Sequence, residues 1–585
     1  MTGIEGRFEF EKNDVQLSSR PFAAWRIDSG AGSMGELAVA FDGKLYNAEN
    51  LRKKLGLGKA DTVENVVLAL YEKYGVDAFE MMDGMFSAAI FDRSSGRLVI
   101  ARDRAGEKPL YYTCGDGFFA FSSSLKRLVD SAGVKKTIDS EALCQYFRLG
   151  YIFAPLTIYE NVHSLEPGCC ITVSSDGKAE KYEYFKISFE PAGTYDECKR
   201  QLRDVLIGSV EQCISDEGPT GVFLSGGIDS TIVTGIASTI LGKKISSFTV
   251  GFAEREYDET GRALIAAKAH GTDHHVITLS SGMALGKLDT IIGGMEQPFA
   301  DSSAIPTYIV NEFAKTYLNT VLTGDGSDQI LAGSSRYLVN YYASLYNRIP
   351  EPLRKNVIEK LIYALPDKSS LTRKLRKVVG SSELDVYSRR ERMMSLVLNE
   401  DELRLALGGV TPSQGMENVR ALYDRYRDTA DELSRTLFTD LKVVVEGGMI
   451  AKMGSMSRLA GIEARMPVVS KKMLELSFRI PSEYKLRGRV GKYILRDAFA
   501  GMIPDGLKKA SKKGFGVPLD VWFRGPLKQT LMEALGRDLI ESQGIFNYGY
   551  IERLLEEHFS GRANRDGALW ALYVFQRWYM SEFDI

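Results

Sequence analysis

The sequence has little of what marks a membrane protein, a secreted disulfide-rich protein or a nucleic-acid-binding protein. Its 585 residues hold 74 Lys and Arg against 76 Asp and Glu, a net charge of −2. Because there is no basic excess, no nucleic-acid partner is expected. No apolar run approaches the roughly 20 residues of a transmembrane helix, so no membrane partner is expected either. The opening residues, MTGIEGRFEFEKND, are too polar for a signal peptide.

The six cysteines are scattered and show none of the spacings that bind a metal ion. Cys169 and Cys170 are neighbours within a predicted strand, a position that favours buried thiols over a disulfide. These absences predict a reduced, cytoplasmic protein. Since 44% of the residues are hydrophobic and 26% are charged, a chain of this length is expected to form two or more globular domains.

What the sequence does contain is a short strand that breaks through glycines into a helix. Gly221–Leu224 is predicted as a buried strand, Ser225–Ser230 as a turn and Thr231–Ile240 as an apolar helix. Such a turn leaves backbone N–H groups unpaired at the positive end of the helix dipole, which favours a phosphate. Its serines can add hydroxyl donors, and Asp229 can hold a magnesium ion. A plain tight turn is the alternative interpretation, because the pattern is neither a Walker loop nor GxGxxG.

The unit SGGxDS in this turn resembles the pyrophosphate loop of the ATP pyrophosphatases, which cleave ATP between the α and β phosphates and adenylate a substrate. The resemblance implies ATP and Mg²⁺ as cofactors. Ile245–Phe252 is predicted as the next strand, and because open α/β sheets bind ligands beyond the carboxyl ends of their strands, the backbone of Val250–Phe252, Val250 and Gly251 above all, is expected to contact adenine. The implied nucleotide contacts are Leu224, Ser225, Gly226, Gly227, Asp229, Ser230, Val250, Gly251, Gly324 and Lys513.

The first 187 residues are predicted as short strands with few helices, a layered α+β sandwich. Leu37–Phe41 alternates into Asp42-Gly43, which predicts a hairpin turn. Met82–Tyr112 and Phe41–Asn47 resemble the glutaminase domain of glutamine-dependent asparagine synthetase. The fold implied is an αββα sandwich of the N-terminal-nucleophile amidohydrolases.

This half departs from the family pattern at the residues that handle glutamine. Thr2 stands where the family has its nucleophilic Cys, and the RHRGPD segment between Ile4 and Phe41 is missing. Asp42 replaces an oxyanion-hole Asn, and a carboxylate repels an oxyanion. Lys44 replaces the Glu that binds the glutamine amine. An inactive glutaminase-like domain is therefore predicted; the alternative is that Thr2 itself acts as an N-terminal nucleophile.

The predicted organisation is residues 1–187 as the glutaminase-like domain, 188–197 as a linker rich in polar residues, and 198–585 as an ATP pyrophosphatase domain with a parallel α/β sheet and helical additions. Residues 335–440 are predicted as a helical subdomain. Open α/β sheets bind ligands beyond the carboxyl ends of their strands, where the turn at Ser225–Ser230 lies.

A second carboxylate-bearing turn follows the predicted strand at Val321–Leu322. By the family's pattern, Asp328 shares magnesium with Asp229, and Asp325 lies near the acyl-adenylate, where lactam-forming relatives carry Tyr. Lys492 would stabilise charge developing at the α-phosphate. Glu463, together with Asp325, would position or deprotonate the amine.

The function implied is an ATP-dependent amide ligase that adenylates aspartate or another small, sugar or natural-product acid and transfers ammonia or an amine. Gly454-Ser455 and Val468–Ser470 depart from the family pattern in a part that the resemblance places facing the substrate. A cyclase of the β-lactam-synthetase or lasso-peptide type and a nucleotide-binding scaffold are the two alternatives. A homodimer and a partner protein that supplies the amine are both compatible with the sequence.

Overall fold

The structure is a computed structural model that describes residues 3–10, 14–19, 33–215, 218–254, 256–365, 370–408, 416–508 and 516–583. The amino-terminal part contains two antiparallel sheets and the rest of the chain one parallel sheet with many helices. No helix within those ranges is long and apolar enough to cross a membrane.

Eleven strands build the two antiparallel sheets of the described amino-terminal part. They are β1 Ile4–Glu9, β2 Asp14–Ser19, β3 Ser33–Met34, β4 Leu37–Leu45, β5 Gly84–Asp92, β6 Arg97–Arg102, β7 Tyr111–Gly115, β8 Phe118–Ser122, β9 His163–Ser164, β10 Cys169–Val173 and β11 Ala179–Glu183. One sheet has the order β2-β1-β8-β7-β9 and the other β11-β10-β6-β5-β4-β3.

The side chains along the strands point alternately to two buried faces of the sheet. Ala38 and Ala40 of β4 lie in the core between the sheets, whereas Val39 and Phe41 pack under helices on the outer face. The helices of this part are α1 Ala48–Leu55, α2 Val63–Tyr74, α3 Ala78–Met81, α4 Leu125–Ala132 and α5 Ser140–Leu149. Because α4 and α5 cover the other sheet, the layers run helix, sheet, sheet, helix. The predicted αββα sandwich is confirmed.

The hairpin predicted at Asp42-Gly43 is wrong. Both residues lie inside the continuous strand β4, where Gly43 pairs with Phe86 of β5. Gly43 has φ 145°, and a Cβ built on it would lie 2.0 Å from the carbonyl oxygen of Met85. The glycine therefore serves close strand approach and not chain reversal.

The parallel sheet has the order β14-β13-β12-β15-β16, with every pairing parallel. Its strands are β12 Thr220–Phe223, β13 Ser246–Phe252, β14 Asp273–Leu279, β15 Thr320–Leu322 and β16 Glu463–Arg465. A short hairpin follows, made of β17 Leu486–Arg487 and β18 Val490–Gly491. The predicted parallel α/β sheet is confirmed.

The first helix beside this sheet is the long helix α6. It starts at Tyr195, inside the predicted linker, because Thr194 and Glu197 form a capping box there. The boundary at 188–197 stays a prediction. The α-helices up to the sheet's last strand are α6 Tyr195–Cys213, α7 Ile228–Gly235, α8 Thr260–His270, α9 Ser281–Leu285, α10 Leu288–Gly293, α11 Ala304–Lys315, α12 Ser327–Ile330, α13 Val339–Asn347, α14 Glu351–Leu353, α15 Glu359–Ala364, α16 Ser370–Ser381, α17 Val386–Met394, α18 Glu400–Ala406, α19 Glu417–Asp424, α20 Glu432–Asp440 and α21 Ala451–Ala460.

Nine further α-helices close the chain: α22 Lys471–Arg479, α23 Ser482–Lys485, α24 Tyr493–Ala498, α25 Asp505–Lys508, α26 Leu519–Arg524, α27 Lys528–Ala534, α28 Arg537–Gln543, α29 Tyr548–Phe559 and α30 Asp566–Glu582, counting the described ranges alone. Three π-helical segments continue α7, α14 and α20: Ile236–Ile240, Arg354–Ile358 and Leu441–Ile450. Short 3₁₀ turns lie at Gly75–Asp77, Ser335–Leu338, Pro467–Val469 and Ala500–Met502.

A buried ion pair joins the two parts of the molecule. Arg102 Nη1 lies 2.9 Å from Glu446 Oε1, and both side chains are only 6% exposed. Arg102 also donates to the carbonyl oxygens of Lys108, Gly106 and Leu165. Because backbone oxygens accept hydrogen bonds from the remaining Arg102 donors, the charges of the pair are compensated inside the protein.

Removing either partner of this pair is expected to leave a buried charge uncompensated. We expect Arg102→Met and Glu446→Gln each to lower the free energy of unfolding by about 3–5 kcal/mol. The shift in the urea unfolding midpoint measures this loss. Arg562→Met is the control, since the Arg562–Glu556 pair is exposed and is expected to contribute under about 1 kcal/mol. Equal shifts for the buried and exposed variants would contradict the prediction.

A second prediction concerns pH. Lys485 is fully buried, and burial lowers its pKa from 10.5 to about 8. Between pH 8 and 10.5 the unfolded chain therefore binds a proton that the folded chain has released, so this residue makes stability rise with pH. Relative to that of Lys485→Met, the free energy of unfolding of the wild-type protein should rise by about 3 kcal/mol across this pH window. Urea unfolding of both proteins at several pH values measures this difference in the free energy of unfolding. A difference that does not change with pH would refute the prediction.

Candidate active site

The site lies at the carboxyl edge of the parallel sheet, where the loops after β12 and β15 meet. A Cβ built on Gly324 would lie 2.9 Å from Asp229 Cβ and 3.0 Å from Ser230 N. Only a glycine therefore lets the second loop approach the first this closely. The structure brings the two turns that the sequence singled out into direct contact.

The first loop is shaped by its own hydrogen bonds. The hydroxyls of Ser225 and Ser230 lie 3.1 Å apart, and Gly227 N donates to Ser225 Oγ at 3.2 Å. Gly226 has φ 72°, and a Cβ on it would lie 2.5 Å from the carbonyl carbon of Arg262. Leu224 N donates to Phe248 O at 2.9 Å, which ties the loop to β13. The loop is thus held in one shape by the protein itself.

Helix α7 begins at Ile228, three residues before the predicted Thr231. Asp229 and Ser230 therefore belong to the first helical turn, where backbone N–H groups have no partner within the helix. An anion bound against this loop would meet those donors and the positive end of the helix dipole.

Lys492 joins the carboxylates of the two loops. Its Nζ lies 2.5 Å from Asp229 Oδ2 and forms a second ion pair with Asp328 Oδ1. Lys492 is only 4% exposed, and its backbone N donates to Leu331 O at 3.1 Å. Burial lowers the pKa of Lys492, and the Asp229 carboxylate opposes that effect. Its backbone adopts φ 54°, a conformation rare outside glycine that marks local strain.

Asp325 lies between this ion cluster and a second one. Thr323 Oγ1 donates to Asp325 Oδ2 at 2.9 Å and orients the carboxylate. Lys452 Nζ donates to Asp301 Oδ2 at 2.9 Å and to Ser303 Oγ at 2.7 Å. Although burial lowers the pKa of Lys452, the carboxylates of Asp301 and Asp325 raise it above its usual value. The segment Glu296–Pro306, which contains Asp301 and Ser303, resembles the family's loop that lines the substrate and nucleotide pocket, but the sequence did not single out these two residues or Lys452 as site residues.

The strand predicted to contact adenine reaches the same edge of the sheet. Val250 is buried, and a Cβ on Gly251 would lie 2.9 Å from Asp258 Oδ1. Asp258 accepts from Thr260 Oγ1 at 2.8 Å and so caps the end of β13. The backbone at Val250 and Gly251 is thereby held beside β12.

One predicted residue, Glu463, is not part of this arrangement. Glu463 pairs in register with Thr320, the first residue of β15, whereas Asp325 follows the last residue of that strand. Its carboxylate accepts from Arg465 Nε at 2.6 Å. The structure therefore separates Glu463 from Asp325 by the length of a strand. Lys513 lies outside the described residues, as does Thr2.

The positions that depart from the family pattern lie in two different places in the structure. Val469 packs against the second loop, since a Cβ on Gly326 would lie 2.6 Å from Val469 Cγ1. Gly454 instead lines a cavity between the two parts of the molecule, together with Asp42. Asp42 is 7% exposed, and its Oδ1 lies 3.2 Å from Lys108 Nζ. The structure thus places Gly454 at the junction of the two parts, whereas the sequence had predicted a position facing the substrate.

A glycine-rich loop at the carboxyl edge of a parallel sheet, joined to an αββα sandwich, is the arrangement that the sequence predicted for an ATP-dependent ligase with an amidotransferase-type first half. Comparison with known families supports this class. A family model described as asparagine synthase matches residues 201–580, and one described as a glutamine amidotransferase domain matches residues 3–185. The chain belongs to the asparagine synthase family, whose members use ATP.

Individual relatives match over most of their length. The chain is 28% identical over 551 residues to asparagine synthetase [glutamine-hydrolyzing] 1 of Bacillus subtilis (strain 168), covering 92% of this chain and 85% of the relative. It is 25% identical to asparagine synthetase [glutamine-hydrolyzing] 3 of the same organism, covering 82% and 75%. It is 23% identical to the amidase chyE of Penicillium rubens, covering 89% and 82%.

Gly333 offers a test of the Lys492 cluster. A Cβ on Gly333 would lie 2.0 Å from Lys492 Cε and 2.1 Å from Asp328 Oδ1, so Gly333→Ala must displace the lysine side chain. We expect ATP-dependent pyrophosphate release to fall by about 10²-fold because a fixed positive charge is lost. Gly282→Ala is the control, since nothing lies within 4 Å of its Cβ position. Equal rates for the two variants would show that the close contact is not needed.

Proposed function

We propose that the protein is an ATP-dependent amide ligase that adenylates a carboxylate substrate and forms the amide with ammonia or an amine that it does not obtain from glutamine. The observation that carries this proposal is the convergence of Asp229, Asp328 and Lys492 beside the loop Ser225–Ser230. The family match does not favour the cyclase or the scaffold alternative.

The first half-reaction is attack of the substrate carboxylate on the α-phosphate of ATP, which releases pyrophosphate and leaves an acyl-adenylate. The N–H groups of Gly226 and Gly227 and the hydroxyls of Ser225 and Ser230 bind the phosphates. Lys492 stabilises the negative charge that develops at the α-phosphate.

Magnesium fits the same cluster. Asp229 and Asp328 both reach one cationic atom, Lys492 Nζ, and carboxylate oxygens are the ligands that Mg²⁺ prefers. We propose that these two carboxylates hold it; when bound, it supplies positive charge that stabilises the leaving pyrophosphate.

The second half-reaction is attack of the nitrogen nucleophile on the acyl carbon, which releases AMP. Asp325, oriented by Thr323, accepts the proton that the amine loses. Lys452, fixed by Asp301 and Ser303, places a positive charge next to Asp325 and binds the anionic part of the acid. Aspartate keeps such a group, its second carboxylate, after one carboxylate is adenylated, and a sugar acid or a natural-product acid fits this arrangement when it carries a second anionic group.

The amidotransferase-type half does not supply the nitrogen in this proposal. Asp42 stands where the family pattern has an oxyanion-hole Asn, and its Oδ1 forms an ion pair with Lys108 Nζ at 3.2 Å. An ion-paired carboxylate offers no N–H donor to a developing oxyanion. Loss of one such donor costs on the order of 10²–10³ in rate.

A comparison of nitrogen sources tests this assignment. With ATP, magnesium and a panel of carboxylic acids that includes aspartate, we expect ammonium chloride to support amide formation and pyrophosphate release, and glutamine to give under about 1% of that rate because oxyanion stabilisation is missing. Coupled measurement of pyrophosphate and of glutamate separates the two activities. Glutamate release that matches amide formation would overturn the claim about glutamine.

The matched substitution pair is Asp229→Asn and Asp116→Asn. Asp229→Asn is expected to abolish adenylation because it removes a carboxylate from the ion cluster, whereas Asp116 is an exposed turn residue that should tolerate the same change. If Asp229→Asn released pyrophosphate at the wild-type rate, the proposed role of the cluster would be wrong.

A further inference from the structure

A cavity of about 220 Å³ lies among the helices that follow the ATP loops. It is formed by the 3₁₀ turn Ser335–Leu338 with the start of α13, by α17 and α20, and by strand β17. None of Asp229, Asp325, Asp328 and Lys492 lines it. Sites for drug-sized ligands measure about 300–1,000 Å³, so a cavity of this size fits a smaller molecule.

The buried acid in this cavity already has its partners. Asp440 is only 1% exposed, and its Oδ1 accepts a hydrogen bond from Arg390 Nη2 at 2.6 Å. Its Oδ2 accepts a hydrogen bond from the Tyr337 hydroxyl, also at 2.6 Å. Both oxygens of the carboxylate therefore have a donor, and one of these donors is a cation. Asp440 needs no second cation to be compensated.

A second guanidinium in the cavity has no such partner. Arg336 lines the cavity, yet its side chain makes no ion pair or hydrogen bond within the described part of the chain. The side chain is half-buried, so solvent and ligands can reach it. Although burial lowers the pKa of Arg336, the nearby Asp440 carboxylate raises it above its usual value. Arg336 is thus a permanent positive charge whose donors are free for a ligand.

Much of the remaining lining is apolar or aromatic. It includes Tyr341, Met393, Met394, Leu433 and Leu486. Methionine sulfurs and tyrosine rings make favourable contacts with the ring of an aromatic ligand. The cavity therefore combines one free cation with a wall that suits a compact aromatic group.

The charges of the lining favour a carboxylate over a phosphate. Glu432 lies exposed at the rim, where it accepts a hydrogen bond from Asn340 Nδ2 at 2.7 Å. Its negative charge repels a phosphate, which carries up to about two charges, more strongly than a carboxylate, which carries one. A guanidinium also matches the two oxygens of a carboxylate with two parallel hydrogen bonds.

We propose that this cavity binds a small aromatic carboxylate, with the carboxylate on Arg336 and the ring against Met393, Leu433 and Leu486. A free guanidinium beside an apolar wall matches the two parts of such a ligand. The site is separate from the adenylation site and does not rest on the proposed function.

The test uses benzoate, benzamide and benzylamine, which have nearly the same size and carry charges of −1, 0 and +1. Isothermal titration of the full chain is carried out without ATP, so the outcome is independent of ligase activity. We expect benzoate to bind at least about tenfold more tightly than benzamide, since only benzoate makes a charge-assisted contact, and benzylamine to bind more weakly than both. Inorganic phosphate that binds more tightly than benzoate would overturn the carboxylate assignment.

Substitutions of Arg336 assign the contact. Arg336→Gln should remove the preference for benzoate over benzamide and leave benzamide binding in place. Arg336→Lys should retain part of the preference, because it keeps the charge but not the paired donors. Arg348→Gln, at the exposed end of α13, is the control and should bind like the wild type.

Two results would contradict the assignment. An equal loss of benzoate and benzamide binding in Arg336→Gln would indicate a structural role for the arginine. Failure of benzoate to bind the wild-type protein up to its solubility limit would overturn the site itself.

Filling the cavity gives a test that leaves Arg336 in place. Thr436 lines the cavity from α20, and its hydroxyl donates to the carbonyl oxygen of Glu432 within the helix. Thr436→Phe should abolish benzoate binding because its ring occupies the space of the ligand. Thr429→Phe, in an exposed turn, is the matched control. With melting temperatures confirming that both variants fold, unchanged benzoate binding by Thr436→Phe would place the ligand elsewhere.

Discussion

The contact on which the active site depends is the ion cluster of Lys492 with Asp229 and Asp328. Its three residues come from three separate parts of the sequence, the loop after β12, helix α12 after β15 and the residue before α24. Each charge would be costly to bury by itself, and together they are compensated. The cluster therefore fixes the positions of both loops and of the hairpin β17–β18 that leads to the lysine.

This arrangement also explains a set of glycines and one strained residue. Gly324 lets the loops touch, Gly333 leaves room for the lysine side chain, and Lys492 itself adopts a positive φ. Strain of this kind persists only where the surrounding contacts over-determine the backbone. The position of Lys492 at φ 54° is thus consistent with a side chain that must point in one direction for chemistry.

Most residues of the candidate site could be singled out from the sequence because they lie in short motifs whose spacing specifies their position in the fold. Asp229 and Ser230 follow a strand within a few residues, so their place at the carboxyl edge follows from the topology. Glu463 could not be placed this way, since a motif match does not tell which end of a three-residue strand faces the ligand. Asp42-Gly43 was misassigned because a glycine that serves close strand approach has the same local pattern as one in a turn.

The amidotransferase-type half is tied to the rest of the chain by packing that its own reaction does not require. Tyr146 OH donates to the carbonyl oxygen of Ala571 at 2.8 Å, and α5 shares a core with the carboxyl-terminal helices. The Arg102–Glu446 pair adds a compensated charge across the same junction. Deleting this half would expose that core, so it is needed for stability even without glutamine chemistry.

Two of the departures from the family pattern, Asp42 and Gly454, lie at the junction between the two halves, whereas Val469 packs against the second loop. At the carboxyl edge the carboxylates and the lysine of the ATP site are all present and in contact. At the junction, Asp42 and Gly454 line one cavity, and each differs from the residue that the family pattern has there. A parallel sheet keeps its two edges apart by the length of its strands. Residues at the junction can therefore change without disturbing the contacts among Asp229, Asp328 and Lys492 at the carboxyl edge.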